Sequence, residues 1–234
     1  MPRDARHHFC APCNFADRAK FPYARHVPLP TPAPSLRERK KFDTFRALAS
    51  TAVRLVYERG LDNVTVEDIS AEVGVSPRTF FNYFASKEDA LVIAYPDYAE
   101  HAKQAAESLL AAPPEMSALE ALASTLVSQA DRIQSDREEW LHRIAVIEAN
   151  PALVSRLITI GGESELSMLT AIGHRTGLDL DEDLYPGLLF SAVCGVFNAA
   201  IRHWYRLDGK QPLEELVRAA VTALAAGLPS PGKN

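Results

Sequence analysis

Residues 65–84 read TVEDISAEVGVSPRTFFNYF, and the punctuation of this stretch decides the fold. Thr65 with Asp68 three residues on is a variant of the capping box, so a short helix is expected over 65–73. Ile69 and Val73 fall on one face of it. Gly74 ends the helix at a position that needs a backbone conformation Cβ disfavours. Ser76 is an N-cap and Pro77 suits the first helical position, so a second helix is expected over 77–84. Phe80 and Phe84, four apart, must face inward with Ile69 and Val73, and Val75 fills the wedge between the helices. That leaves Arg78, Thr79, Phe81, Asn82 and Tyr83 pointing outward or sideways. Short helix, glycine turn, short helix is the helix-turn-helix plan, whose second helix enters the DNA major groove.

Working outward, Ser35 can cap a long helix that runs through Tyr57, with Phe42, Phe45, Leu48, Ala49, Ala52, Val53 and Val56 at three- and four-residue spacing and Gly60 as its stop. On the other side Ser86 and Asp89 form a second box, opening a fourth helix over 86–95 that reaches Tyr95-Pro96 and leads straight into the rest of the chain. Beyond Pro96 the periodicity gives five or six longer helices, broken at Pro113-Pro114, Gln134-Ser135, Asn150-Pro151, Gly177 and Gly209. No strand-like alternation occurs. The expected fold class is all-α: a three-helix helix-turn-helix DNA-binding domain within 36–95, then a helical bundle over 96–227 for dimerisation and ligand binding. Residues 1–35 read as a disordered, basic, proline-rich tail and 228–234 as a second tail.

Bulk properties agree. The chain has 234 residues, 47% hydrophobic and 24% charged, which is enough apolar material for a sizeable core. The net charge of −5 is unevenly spread: residues 1–41 hold nine Lys/Arg against three acids, a balance of +6 that leaves −11 on the remainder. A basic arm on an acidic body suits a chain that meets DNA at one end. No apolar run approaches the ~18–20 residues of a membrane span, so no membrane partner is expected. The lack of an apolar leader and a count of three cysteines point to a reducing cytoplasm. Cys10 and Cys13 form a CxxC near His7 and His8. It has no second cysteine pair and no strand–helix context, so two unpaired thiols, and neither metal nor cofactor, are expected.

The segment TAVRLVYERGLDNVTVEDISAEVGVSPRTFFNYFASKEDALV (51–92) resembles the N-terminal domain of the tetracycline-repressor (TetR) family of transcriptional regulators. The resemblance covers roughly residues 40–95. It rests on an aromatic before a glycine, a Thr opening the second helix, the Gly-Val turn, the Thr-aromatic run into Tyr-Phe, and a Lys after Ser. It implies a role for each matching residue. Thr65 would bond a phosphate. Ser76, Pro77, Arg78, Thr79, Phe81 and Asn82 would face the groove. Tyr83 and Lys87 would hold phosphates, while Arg37, Arg39, Lys40 and Lys41 would reach the backbone or the minor groove. Phe81 departs from the Tyr common in the family, which loses a phosphate bond and leaves apolar contact, such as with a thymine methyl.

In the bundle, LYPGLLFSAVCGVFNAAIRHWY (184–205) is apolar with small residues at Ala192, Gly195, Ala199 and Ala200, and LEELVRAAVTALAAG (213–227) carries an apolar face. The resemblance implies that these two helices pair with their mates as a four-helix homodimer interface, matching a palindromic double-stranded operator. Candidates for an effector pocket are Trp140, Arg143, Ile147, Phe190, Cys194, Phe197 and Asn198. The stretch EWLHRIAVIEANPALVSRL (139–157) resembles a branch associated with acyl-CoA-like ligands, for which Arg143 or Arg156 would meet an anionic head group. The expected activity is a repressor released by a small hydrophobic or acyl-CoA-like effector, with the 86–95 helix transmitting the shift.

An enzyme is disfavoured, since HExxH, GxSxG and phosphate-cradling loops are all missing from the sequence. A helical adaptor that binds DNA without any effector differs from a sensor only in having a filled bundle.

Overall fold

The computed structural model describes residues 35–228, and its described elements are helices without a strand. They are α1 (Leu36–Arg59), a 3-10 turn (Leu61–Asn63), α2 (Val66–Val73), α3 (Pro77–Phe81), α4 (Lys87–Val92), α5 (Tyr98–Ala111), α6 (Ala118–Ser135), α7 (Arg137–Ala149), α8 (Pro151–Thr176), α9 (Tyr185–Arg206) and α10 (Leu213–Ala225). The expected breaks at Pro113-Pro114, Gln134-Ser135, Asn150-Pro151, Gly177 and Gly209 all fall at or between helix ends. The readings of the terminal tails and of the Cys10–Cys13 pair lie outside the described residues.

Two apolar cores result. The first gathers Phe45, Leu48 and Val53 of α1, Ile69 of α2, Phe80, Phe84 and Leu91, and it extends to Val146 of α7 and Leu153 of α8. The second fills the bundle with Leu109, Leu122, Ile133, Ile172, Leu213 and Trp204, the last fully buried. Because α7 and α8 contribute to both cores, the N-terminal unit packs directly on the bundle. No single helix among the described residues is long and apolar enough to cross a membrane.

Two helix ends differ from expectation. α3 stops at Phe81 rather than Phe84: Asn82 N–H bonds Thr79 O and Tyr83 N–H bonds Phe80 O, so the last turn tightens to three-residue spacing. α4 stops at Val92 rather than Tyr95. Ile93 is already extended at φ −93, ψ 99, and Pro96, which has no N–H, could not have bonded the Val92 carbonyl to carry the helix further. No continuous helix therefore joins the DNA-binding unit to the bundle. The Ser86 box is also only half formed. Ser86 Oγ accepts from Asp89 N–H at 3.2 Å, but the Asp89 carboxylate accepts from Arg156 Nε at 2.6 Å instead of turning back to Ser86.

Candidate nucleic-acid interface

The helix-turn-helix is built from caps. At α2 the box closes in both directions: Asp68 N–H bonds Thr65 Oγ1 at 3.1 Å, and Thr65 N–H bonds Asp68 Oδ2 at 2.9 Å. Thr65 Oγ1–H also donates to Asp68 at 2.7 Å, and these bonds hold the Asp68 carboxyl below its ordinary pKa. Gly74 then turns the chain at φ 77, ψ 31, the left-handed region that glycine enters at no steric cost. Ser76 caps α3 by accepting from Thr79 N–H at 3.1 Å, with Pro77 as its first residue.

The aromatic pattern orients α3. Phe80 and Phe84 are buried, their rings tilted by 40° with centroids 5.4 Å apart, and the Phe84 ring packs on Phe45 at 4.3 Å. The outward set is Ser76, Pro77, Arg78, Asn82 and Phe81, the last 57% exposed with its ring edge-on to Phe80. Such a face offers a guanidinium, a carboxamide and an apolar ring within about two helical turns. Those are the groups that read guanine, adenine and the thymine methyl in the major groove. Thr79 and Tyr83 sit half-buried: Thr79 Oγ1 shares a hydrogen bond with Ser76 Oγ, and the Tyr83 ring meets Phe45 edge-on. At the other end Arg37, Arg39, Lys40 and Lys41 are exposed on the first turns of α1.

The roles expected at Thr65 and Lys87 change. Both the hydroxyl and the N–H of Thr65 are engaged by Asp68, so the donors α2 has left for a phosphate are the backbone N–H groups of Val66 and Glu67. Lys87 Nζ donates to Leu61 O at 2.7 Å and Val64 O at 3.0 Å, pinning the α1–α2 loop to the start of α4. An ammonium has three donors, so one is left for DNA.

The seven pocket candidates are divided between the two cores and the exposed surface of α9. Trp140 is half-buried and its Nε1–H donates to Tyr95 Oη at 3.3 Å. Arg143 is wholly buried and its Nη atoms donate to Leu91 O (2.5 Å), Ala90 O (3.2 Å) and Glu139 Oε1 (2.6 Å). Burial lowers its pKa while Glu139 opposes the shift. It closes the carbonyl end of α4 and so does not await an anionic head group; Arg156 is likewise engaged, by Asp89. Ile147 packs on the N-terminal core, and Phe190 and Phe197 on the bundle core. Cys194 and Asn198 are exposed on α9. A surface cleft of about 470 Å³ opens near the ends of α5 and α8, lined by Leu110, Met116, His174 and Arg175 among others, and none of the seven touches it. No group of three or more His, Cys, Asp or Glu among the described residues is placed to hold a metal.

On α9 a continuous face is exposed: Leu184 (81%), Leu188 (57%), Ser191, Gly195, Ala199 and Arg202 follow at three- and four-residue steps. On α10, Ala219 and Thr222 are exposed, as is Ala226 at its C-terminal end. An apolar and small-residue face of this kind permits close approach of another helix.

The family description "Bacterial regulatory proteins, tetR family" matches residues 48–94, and "MftR C-terminal domain" matches residues 116–229. The HTH-type transcriptional regulator TcmR of Streptomyces glaucescens is 30% identical over 197 residues, spanning 82% of this chain and 85% of that one. MftR of Mycobacterium tuberculosis is 26% identical over 190 residues, spanning 81% and 93%. The fold is shared with the fatty acid degradation regulator FadR of Bacillus halodurans (TM-score 0.56, 19% identity, 78% of this chain and 98% of that one). It is also shared with FadR of Bacillus subtilis, solved with stearoyl-CoA (TM-score 0.51, 20% identity, 77% and 97%).

Proposed function

The chain belongs to the tetR family of bacterial transcriptional regulators, and from that premise we propose that it is a homodimeric repressor released from a palindromic operator by an apolar, acyl-CoA-like effector. The observation that carries the DNA reading is the division of residues 77–84, α3 and the turn after it: Phe80 and Phe84 lock one side into the core and leave Arg78, Phe81 and Asn82 outward. Pro77 and Ser76 set the helix start against the groove, and Thr79 supports Ser76. Tyr83, the third Lys87 donor and the α2 amides hold phosphates, while Arg39, Lys40 and Lys41 reach the duplex backbone ahead of the unit.

The exposed faces of α9 and α10 support the dimer. Two-fold symmetry would place two α3 helices about one DNA turn apart, roughly 34–36 Å. The likeness of the fold to an acyl-CoA-bound regulator supports the effector class, and an effector acts only if it prefers the state in which the two units are displaced. The reading places the protein in the cytoplasm, where its DNA is.

The test is binding to a duplex selected by the protein from a random pool, and to unrelated duplex, across a salt series. Arg78→Ala and Asn82→Ala are expected to weaken the selected duplex by roughly 1–3 kcal/mol each while relaxing base preference. Lys40→Ala is expected to weaken both duplexes alike and to flatten the salt slope. Equal affinity of Arg78→Ala and the parent for the selected duplex removes α3 from the interface. Stearoyl-CoA added to the preformed complex is expected to release the duplex, and operator is expected to weaken stearoyl-CoA binding by the same factor.

A further inference from the structure

With α4 ending at Val92 and α5 starting at Tyr98, the DNA-binding unit meets the bundle through a short non-helical linker. A linker of this kind does not by itself fix the direction in which α4 leaves. Side chains from three helices do so. Arg143 of α7 takes the carbonyls of Ala90 and Leu91. Arg46 of α1 donates to Ala94 O at 2.6 Å and to both oxygens of Glu139 at 3.1 and 2.8 Å. Its Nη2 also reaches Asp136 at 2.8 Å. Glu139 therefore holds both arginines. Arg132 of α6 ties the far end of the linker through Asp97 Oδ1 at 2.6 Å.

Tyr95 stands at the centre of this set. The guanidinium carbons of Arg46 and Arg132 lie over its ring, 4.4 and 3.7 Å from the centroid. Its hydroxyl donates to Asp136 Oδ2 at 2.6 Å and accepts from Trp140 Nε1 at 3.3 Å. We propose that Tyr95 is a positioning residue for operator recognition: by clamping the linker to α1, α6 and α7 it fixes the angle of the DNA-binding unit on the bundle, and so the half-site spacing that a dimer accepts. The proposal rests on the dimeric reading above. The clamp is charge-assisted at nearly every contact, and such bonds are shorter and more directional than neutral ones. Burial, with the Asp136 contact next, raises the Tyr95 pKa, so the hydroxyl stays a donor at neutral pH. Glu139 is the wrong place to probe, because its loss would leave the wholly buried Arg143 without a counter-charge and Arg46 with Asp136 alone. Tyr95→Phe removes one hydroxyl and keeps the ring beneath both arginines.

The experiment uses the full chain. The parent protein first selects its operator from a random duplex pool, and the two half-sites are then moved apart or together by one and two base pairs. Each base pair shifts a half-site by roughly 3.4 Å and turns it by about a tenth of a helical turn. The parent is expected to lose about tenfold or more in affinity at two base pairs, a span within the usual allosteric range. Tyr95→Phe and Asp136→Asn are expected to flatten that profile to within about threefold, while their melting midpoints stay near the parent's. A merely structural role would lower affinity at every spacing alike. Variants that melt like the parent and keep its spacing profile overturn the proposal. A parent that selects no two-fold symmetric sequence overturns the dimeric reading itself, and this proposal with it, before any variant is compared.

Discussion

Every helix of the DNA-binding unit begins on a hydroxyl residue whose side chain accepts a backbone N–H: Ser35, Thr65, Ser76 and Ser86. In the described bundle only α6 does, on Ser117, while α5 and α7 to α10 start without a side-chain cap bond. Length sets three of the four apart, while α1, at 24 residues, is capped as well. α2, α3 and α4 have 8, 5 and 6 residues, well under the ~12–15 at which an isolated helix becomes even marginal. A cap contributing ~1 kcal/mol is a large share of such a helix's stability. The bundle helices have 13 to 26 residues and are held by packing.

The bundle places its hydrogen-bonding side chains at its turns, across long stretches of chain. Arg175 of α8 donates to the carbonyls of Leu109, Ala112, Pro113 and Met116 at 2.6–2.9 Å, closing the end of α5 and the turn into α6. Arg137 donates to the carbonyls of Asp208 and Gly209. Gln134 Oε1 accepts from Trp204 Nε1 at 3.1 Å and from Leu213 N–H at 3.0 Å. The caps of the one unit thus join neighbours three residues apart, whereas these turn-closing bonds of the other join partners some sixty to eighty residues apart.

The sharpest way to break this comparison is Trp204→Ala. The indole is fully buried and hydrogen-bonded, so urea unfolding followed by circular dichroism is expected to show a loss of about 3–5 kcal/mol. A loss below about 1 kcal/mol would mean that the bundle does not depend on this long-range centre. Next comes Arg175→Met, which keeps the apolar stem and strips the donors from four carbonyls. About 2 kcal/mol is expected by the same measurement, at the lower end for charge-assisted bonds because part of the site is solvated. The smallest effect is the most diagnostic. Ser86→Ala is expected to cost about 1 kcal/mol and Ser86→Asp to restore it, whereas Ser117→Ala, with the same 3.2 Å bond on an 18-residue helix, is expected to cost about half as much. Equal losses would show that helix length does not set the worth of a cap.

The same contrast governs what could be read from the chain. Capped starts, the left-handed Gly74 and the inward Phe80 and Phe84 are local features, and each stands where the residue pattern puts it. The bonds that Lys87 makes to Leu61 and Val64, and the one Asp89 makes to Arg156, are not legible in the pattern because these partners lie on other elements. The pocket set dispersed for a reason visible on α7. That helix gives Ile144 and Trp140 to the bundle core but Val146 and Ile147 to the N-terminal core. A helix apolar on two sides has no single stripe, and periodicity then cannot tell which face lines what. Arg143, between the two faces, looked like a ligand group and is a helix-end clamp.

A polar seam of this kind limits how the two halves can be inherited separately. A DNA-binding unit moved onto a foreign bundle brings along the guanidinium of Arg46 and the open carbonyls of Ala90 and Leu91. They arrive without partners unless the recipient supplies a carboxylate and an arginine one helical turn apart, as Glu139 and Arg143 are here. Recombination between such regulators is therefore selective at a pair of positions far from both DNA and effector. A Glu-x-x-x-Arg spacing on the receiving helix is the mark by which a compatible chimera would be chosen.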